Sequence, residues 1–193
     1  MIAYIHGKIA ELTPAYVVID NHGIGYELNI SLTTYSALEN ITEAKLYVHE
    51  VIREDAHTLY GFSDLNERSL FRELIGVSGV GANTARVILS SIPPSELEHV
   101  ITGSDVRRLK SVKGVGAKTA ERIIVDLKDK IKPSGDTLLI QAVPTSEAYD
   151  EAMAALMMLG FPKPQTVKVL TRIFKEEPGL KVEQAIKKAL AML

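Results

Sequence analysis

The chain contains no cysteine. That excludes a disulfide framework and any thiolate metal site, and it suits a reducing cytoplasm, the expected location. No apolar run approaches the length of a membrane span. The opening residues, MIAYIHGKIAEL, show no basic stretch followed by a long apolar one, so neither a signal peptide nor a membrane role is expected. Strong net charge is also missing. The formal value is −2, which argues against a simple basic DNA-coating protein. Five histidines, at 6, 22, 49, 57 and 99, lack ligand spacing, and most of them read as surface or turn residues. No nucleophile elbow stands out. The expectation is no catalytic residue, no metal and no cofactor.

What is present points to a globular protein, with 46% of 193 residues hydrophobic. The length allows one ordinary domain or two to three small ones. Domains that small are marginal alone, so they should lean on each other or on other subunits. Charge is unevenly spread. Residues 1–62 carry three Lys/Arg and eight Asp/Glu, residues 63–131 eleven and nine, and residues 132–193 eight and seven. A phosphate-binding surface is therefore expected in the middle segment, beside an acidic neighbour.

Residues 1–62 read as β structure. Short runs rich in Val, Ile and Tyr alternate with turns at Thr13-Pro14, Asn21 to Gly23 and Arg53 to Asp55. Five or six strands in that length suggest a closed OB-fold barrel, with a small open sandwich as the alternative. From Ser63 the period becomes helical. Asp64 with Glu67, and Ser95 with Glu98, have capping-box spacing. Ala120, Ile123, Ile124, Leu127 and Ile131 follow one helical stripe, giving an amphipathic helix to about Lys130. Residues 132–146 read as a flexible linker broken by Pro133, Gly135 and Pro144, although LLIQAV within them is more apolar than a linker needs. Residues 147–193 read as a three-helix bundle. Its stripes are Ala152, Met153, Leu156 and Leu159, then Val167, Leu170, Ile173 and Phe174, then Val182, Ile186, Ala189, Leu190 and Leu193. The turn Leu159-Gly160-Phe161 resembles that of ubiquitin-associated-type bundles. The fold class is thus α+β multidomain: a barrel, an all-α middle and a bundle.

An internal repeat carries the functional reading. Residues 76–89 align with residues 111–124, and both contain VxGVGAxTA between helices. Val77 and Val112 precede the turn, and Val80 and Val115 can plug the helix pair together. Gly79, Gly81, Gly114 and Gly116 permit a tight turn and close approach by another backbone. The helix that follows starts with its N–H groups free, which makes an anion site. Its natural ligand is a backbone phosphate, a contact that positions without reading bases. The candidate phosphate-binding residues are Gly79, Val80, Gly81, Asn83 and Thr84 in one copy, and Lys113, Gly114, Val115, Gly116, Lys118 and Thr119 in the other. A Walker A loop ending at Lys118-Thr119 would need glycine at 112 and 117, where valine and alanine stand. A Rossmann turn would need a third glycine at 84 or 119, and both are threonine. Two matching copies argue against a mere glycine-capped turn. Arg107, Arg108, Lys110, Lys113 and Lys118 surround the second copy, and the first has only Arg86.

The chain resembles the RuvA family, the Holliday-junction-binding subunits of the bacterial branch-migration machine in recombination and DNA repair. The resemblance rests on MIAYIHG at the start, REDAHTLYGF at 53–62 with the following RSLFRELI helix, the paired hairpins, and GVGAKTAERIIVDLKDK at 114–130. It implies a tandem helix-hairpin-helix domain, 63–131, behind an OB-fold, 1–62, that drives assembly into a tetramer or an octamer. It implies an acidic pin at Glu54 and Asp55, which by themselves read as ordinary turn residues. It implies that the bundle binds the hexameric RuvB ATPase around Leu156, Leu159, Phe161 and Leu170, with the RuvC resolvase as a further partner. The chain itself would then be non-catalytic. Family members often carry lysine where this chain has Asn83, so arm binding should lean on the second hairpin. Two rival readings are the hairpin subunit of a nuclease or glycosylase system, and a pure protein-interaction adaptor.

Overall fold

The structure, a computed structural model, describes residues 1–131, 147–177 and 179–192. The expected linker at 132–146 lies outside them. The chain divides into two compact units, residues 1–138 and 139–193.

The first unit opens with five strands: β1 (Tyr4–Leu12), β2 (Tyr16–Asn21), β3 (Ile24–Asn29), β4 (Glu43–Ile52) and β5 (His57–Phe62). They close in the order β1-β2-β3-β5-β4, with β3 and β5 parallel and the other pairs antiparallel. This is the OB-fold barrel. Alternation explains it, since Val17 and Ile19, then Leu28 and Ile30, then Ala44, Leu46 and Val48 all face inward and are buried. A helix that the strand pattern does not announce, α1 (Leu32–Leu38), bridges β3 and β4. Ser31 caps it by accepting from the Thr34 N–H, and Leu38 is buried in the barrel core.

Five helices follow: α2 (Leu65–Ile75), α3 (Ala82–Ser91), α4 (Pro94–Thr102), α5 (Val106–Lys110) and α6 (Ala117–Leu127). Their core is joined to the barrel through Tyr60 and Phe62 of β5. Phe71 is fully buried, with ring centroids 5.0 Å from Tyr60 and 4.9 Å from Phe62. Truncating such a ring costs about 3–5 kcal/mol. His49 lies edge-on to Phe71, half-buried rather than on the surface, and burial pushes its imidazole below the ordinary range.

Both capping boxes need correction. Asp64 does cap α2, accepting from the Glu67 N–H at 2.8 Å. The Glu67 side chain, however, is held chiefly from outside the helix, accepting hydrogen bonds from Ser31 and Thr34 as well as from the backbone at Ser63. Ser95 caps nothing. The N-cap of α4 is Pro93, and Glu98 accepts from Asn66 of α2 at 2.9 Å. At Glu67 tertiary partners from α1 take up the carboxylate. The last helix of this unit ends at Leu127, about one turn short of expectation, and Ile131 beyond it is still buried.

The second unit holds α7 (Glu147–Met158), α8 (Lys163–Glu176) and α9 (Val182–Leu190), a three-helix bundle. Ala152, Leu156, Leu170, Ile173, Ala185 and Ala189 form its buried centre. Alanines at three of these positions let the helices approach closely. Gly160, at φ +95°, ends α7 in a Schellman turn. The Phe161 N–H reaches the Leu156 carbonyl and the Gly160 N–H the Met157 carbonyl. Three residues assigned to the stripes face out instead: Leu159 is 62% exposed, Val167 38% and Leu190 45%.

Candidate nucleic-acid interface

The two sequence copies fold into the same turn, bond for bond. Leading helices α2 and α5 end at Gly76 and Ser111, both in the right-handed helical region. The Val77 N–H then reaches the Leu74 carbonyl and the Val112 N–H the Leu109 carbonyl, each at 3.1 Å. Val80 and Val115 donate back to Val77 and Val112, each at 3.0 Å. All four valines are buried, so each turn is pinned by two apolar side chains worth about 1.5–3 kcal/mol apiece.

Between the valines the backbone turns through Gly79 at φ +91° and Gly114 at φ +89°. A side chain there would be strained. Gly81 and Gly116 are different. They are N-caps with φ −85° and −79°, which any residue adopts, and a Cβ at either would meet nothing within 4 Å. Neither the backbone nor internal packing requires glycine at those two positions. Both caps lack a side-chain hydrogen bond, and the first intrahelical bonds come from Ala85 to Gly81 and from Ala120 to Gly116. The N–H groups of residues 81–84 and 116–119 thus have no acceptor among the described residues. They form two exposed nests of positive potential with nothing bulky in front.

Sequence candidates fall into distinct roles. Gly79, Gly81, Asn83, Gly114, Gly116 and Lys118 are exposed, as is Lys113, and Thr84 and Thr119 are half-exposed on the helix starts. Val80 and Val115 do not belong with them. Their side chains are 5% and 6% exposed and their amides are spent inside the turn, so they hold the nest rather than line it. Around the second copy, Arg107, Lys110, Lys113 and Lys118 are exposed and carry no ion pair among the described residues. Arg108 is withdrawn. Its Nε lies 2.7 Å from Glu96, whose hydrogen bond pushes the guanidinium's pKa further up, and it also reaches Ser91 and Ser111. Arg86 is likewise engaged inside the chain. The spacing of charges could not show either pairing.

Glu54 and Asp55 lie exposed at the tip of the β4–β5 hairpin, where the Arg53 N–H bonds the Ala56 carbonyl at 2.8 Å. In the bundle, Leu156 and Leu170 are wholly buried and present no surface to a partner. Leu159 is exposed and Phe161 partly so, and sequence reasoning missed the flanking Met157 and Met158, 44% and 90% exposed. Among the described residues no three His, Asp or Glu gather into a metal-holding group, and no helix is long and apolar enough to cross a membrane.

Three family models match in chain order: the RuvA N terminal domain over residues 1–61, a SAM-like helix-hairpin-helix tandem over 71–129, and the RuvA C-terminal domain over 147–193. Relatives described as Holliday junction branch migration complex subunit RuvA match over the whole of both chains. That of Parabacteroides distasonis is 55% identical, that of Bacteroides thetaiotaomicron 52% and that of Christiangramia forsetii 46%. The chain belongs to the RuvA family. Within a RuvA-type chain the hairpin tandem is the middle module, between the barrel and the bundle.

Proposed function

We propose that the protein binds four-way DNA junctions by their sugar-phosphate backbone, without reading base sequence, and carries no chemistry of its own. The observation behind this is the pair of matched turns, each offering helix N–H groups with no acceptor among the described residues behind a glycine, Gly81 or Gly116, that neither the backbone nor internal packing requires. Residues 79, 81, 83 and 84 in one turn, and 113, 114, 116, 118 and 119 in the other, would grip one phosphate each. The division into 1–62, 63–131 and 147–193 would be one of labour: assembly and pin, arm binding, and motor recruitment. As a tetramer or octamer, four subunits would present eight hairpins to four arms. Their Glu54 and Asp55 turns would converge near the crossover and repel phosphates there, holding strands apart. The bundle would recruit a RuvB-type hexameric ATPase through the exposed Met157, Met158 and Leu159, with Phe161 behind them, and a RuvC-type resolvase would be a further partner. ATP hydrolysis would belong to the motor, and the work would be cytoplasmic.

A band-shift of full-length protein on a four-way junction and on linear duplex of the same sequences tests this. A junction preference of at least an order of magnitude is expected, unchanged when the arm sequences are scrambled. Equal affinity for both DNAs would overturn it. Cleavage of the junction in Mg²⁺ would favour a nuclease subunit instead.

A further inference from the structure

The two hairpins are anchored unequally. In the first, Arg86 on α3 spends its guanidinium inside the chain. Nη1 donates to the Ala15 carbonyl at 2.9 Å and to Asn29 Oδ1 at 3.0 Å, both in the barrel. Nη2 donates to Asn83 Oδ1 at 2.9 Å. Two more bonds fix the far end of α3: Thr33 Oγ1 donates to the Leu89 carbonyl at 2.9 Å, and Leu32 N–H to Ser90 Oγ at 3.0 Å. Among the described residues α6 of the second hairpin has no hydrogen bond to the barrel. It reaches the first turn through Arg122, whose Nη1 donates to the Ser78 carbonyl at 3.4 Å.

A guanidinium has donors only, so it can face only the oxygen end of the Asn83 amide. The amide NH₂ is then the end with no acceptor among the described residues, on an exposed residue in the first turn of α3. Left to rotate, that amide would have to be ordered donor-outward at the moment an anion arrives, whereas the Arg86 bond sets that orientation beforehand. We propose that Arg86 is a positioning residue for the first hairpin: it braces the start of α3 against the barrel and keeps the Asn83 NH₂ as the end offered to a phosphate oxygen. This rests on the junction-binding reading above. Charge on Arg86 is shared among three internal acceptors, so it acts through Asn83 and the α3 amides rather than as a phosphate ligand. The three acceptors are reached from two separate nitrogens, Nη1 and Nη2, whose positions a single ammonium nitrogen cannot both occupy.

Junction band-shifts over a salt series test this, with full-length wild type, Arg86→Gln, Arg86→Lys, Asn29→Ala, Asn83→Ala and the Arg86→Lys/Asn83→Ala pair. Arg86→Lys should bind as poorly as Arg86→Gln, about three- to tenfold weaker than wild type, as for the loss of one or two hydrogen bonds. Asn29→Ala should share the direction of that loss. The slope of log affinity against log salt should stay at the wild-type value, and the double variant should lose less than the sum of its singles. Wild-type affinity in Arg86→Lys, a slope lowered by roughly 0.9 in Arg86→Gln, or additive losses would each overturn the proposal. Should Arg86→Gln fail to fold, Arg86→Lys and Asn29→Ala carry the same comparison. Wild type without junction preference would sink the junction reading itself. Wild type that binds while Arg86→Lys is unimpaired would sink only the role of Arg86.

Discussion

Thr34 of α1 donates a 2.6 Å hydrogen bond to the Glu67 carboxylate of α2, and both residues are buried between the barrel and the hairpin helices. Ser31 donates to the same carboxylate, so two hydroxyls from one side of the seam hold an acid from the other. Burial pushes the Glu67 carboxyl above the ordinary carboxylate range, and the two hydroxyls oppose this only in part.

A pH dependence follows from that shift. The folded chain holds the Glu67 proton more tightly than the unfolded chain. Its contribution to stability is therefore complete below the ordinary carboxylate range, about pH 4.3, and is lost as pH rises through the raised value. Glu67→Gln keeps the shape and an acceptor but does not titrate. Urea unfolding from pH 4 to 8 should show wild type losing ground to Glu67→Gln as pH rises, then levelling. A pH-independent difference would refute the assignment.

Gly81→Ala and Gly116→Ala should separate folding from binding. A Cβ at either site meets open space, so the fold should survive with a cap loss of about 0.5–1 kcal/mol. Junction affinity should fall by about tenfold or more, because the methyl group stands where a phosphate would approach. Calorimetry beside band-shifts checks both halves. Normal junction binding by the double variant would contradict a ligand in front of these glycines.

The unequal charge of the hairpins predicts unequal salt behaviour. Lys118→Ala should weaken junction binding more than Asn83→Ala, and should lower the salt slope by roughly 0.9, since one cation no longer displaces counterions. Asn83→Ala should weaken binding with the slope unchanged, because its amide is neutral.

Neutralising the β4–β5 tip with Glu54→Gln and Asp55→Asn should leave melting unchanged, as both residues are exposed. Junction binding should tighten and strand-exchange rates in the presence of motor and ATP should change. Unchanged affinity and rate would remove the pin role.

The sequence alone determined the turns at 76–82 and 111–117, because what shapes their backbone is local: glycine φ, valines three residues apart, and bonds spanning three or four positions. It marked the strands as well, through alternation at Val17 and Ile19 or Leu46 and Val48, and it carried the family resemblance that favoured a closed barrel over an open sandwich. Tertiary structure decided what depends on residues far apart in the chain. Glu67 is held chiefly by Ser31 and Thr34, Arg108 is spent on Glu96 and Arg86 on the barrel. It also decided which apolar residues of the bundle are core and which are surface. Leu156 and Leu159 share a stripe, yet only the first is enclosed: α7 ends at Met158, and Leu159 stands beyond its last turn, 62% exposed. A charge or an apolar period announces what a side chain can do. Only the packed neighbours fix whether it is already doing so.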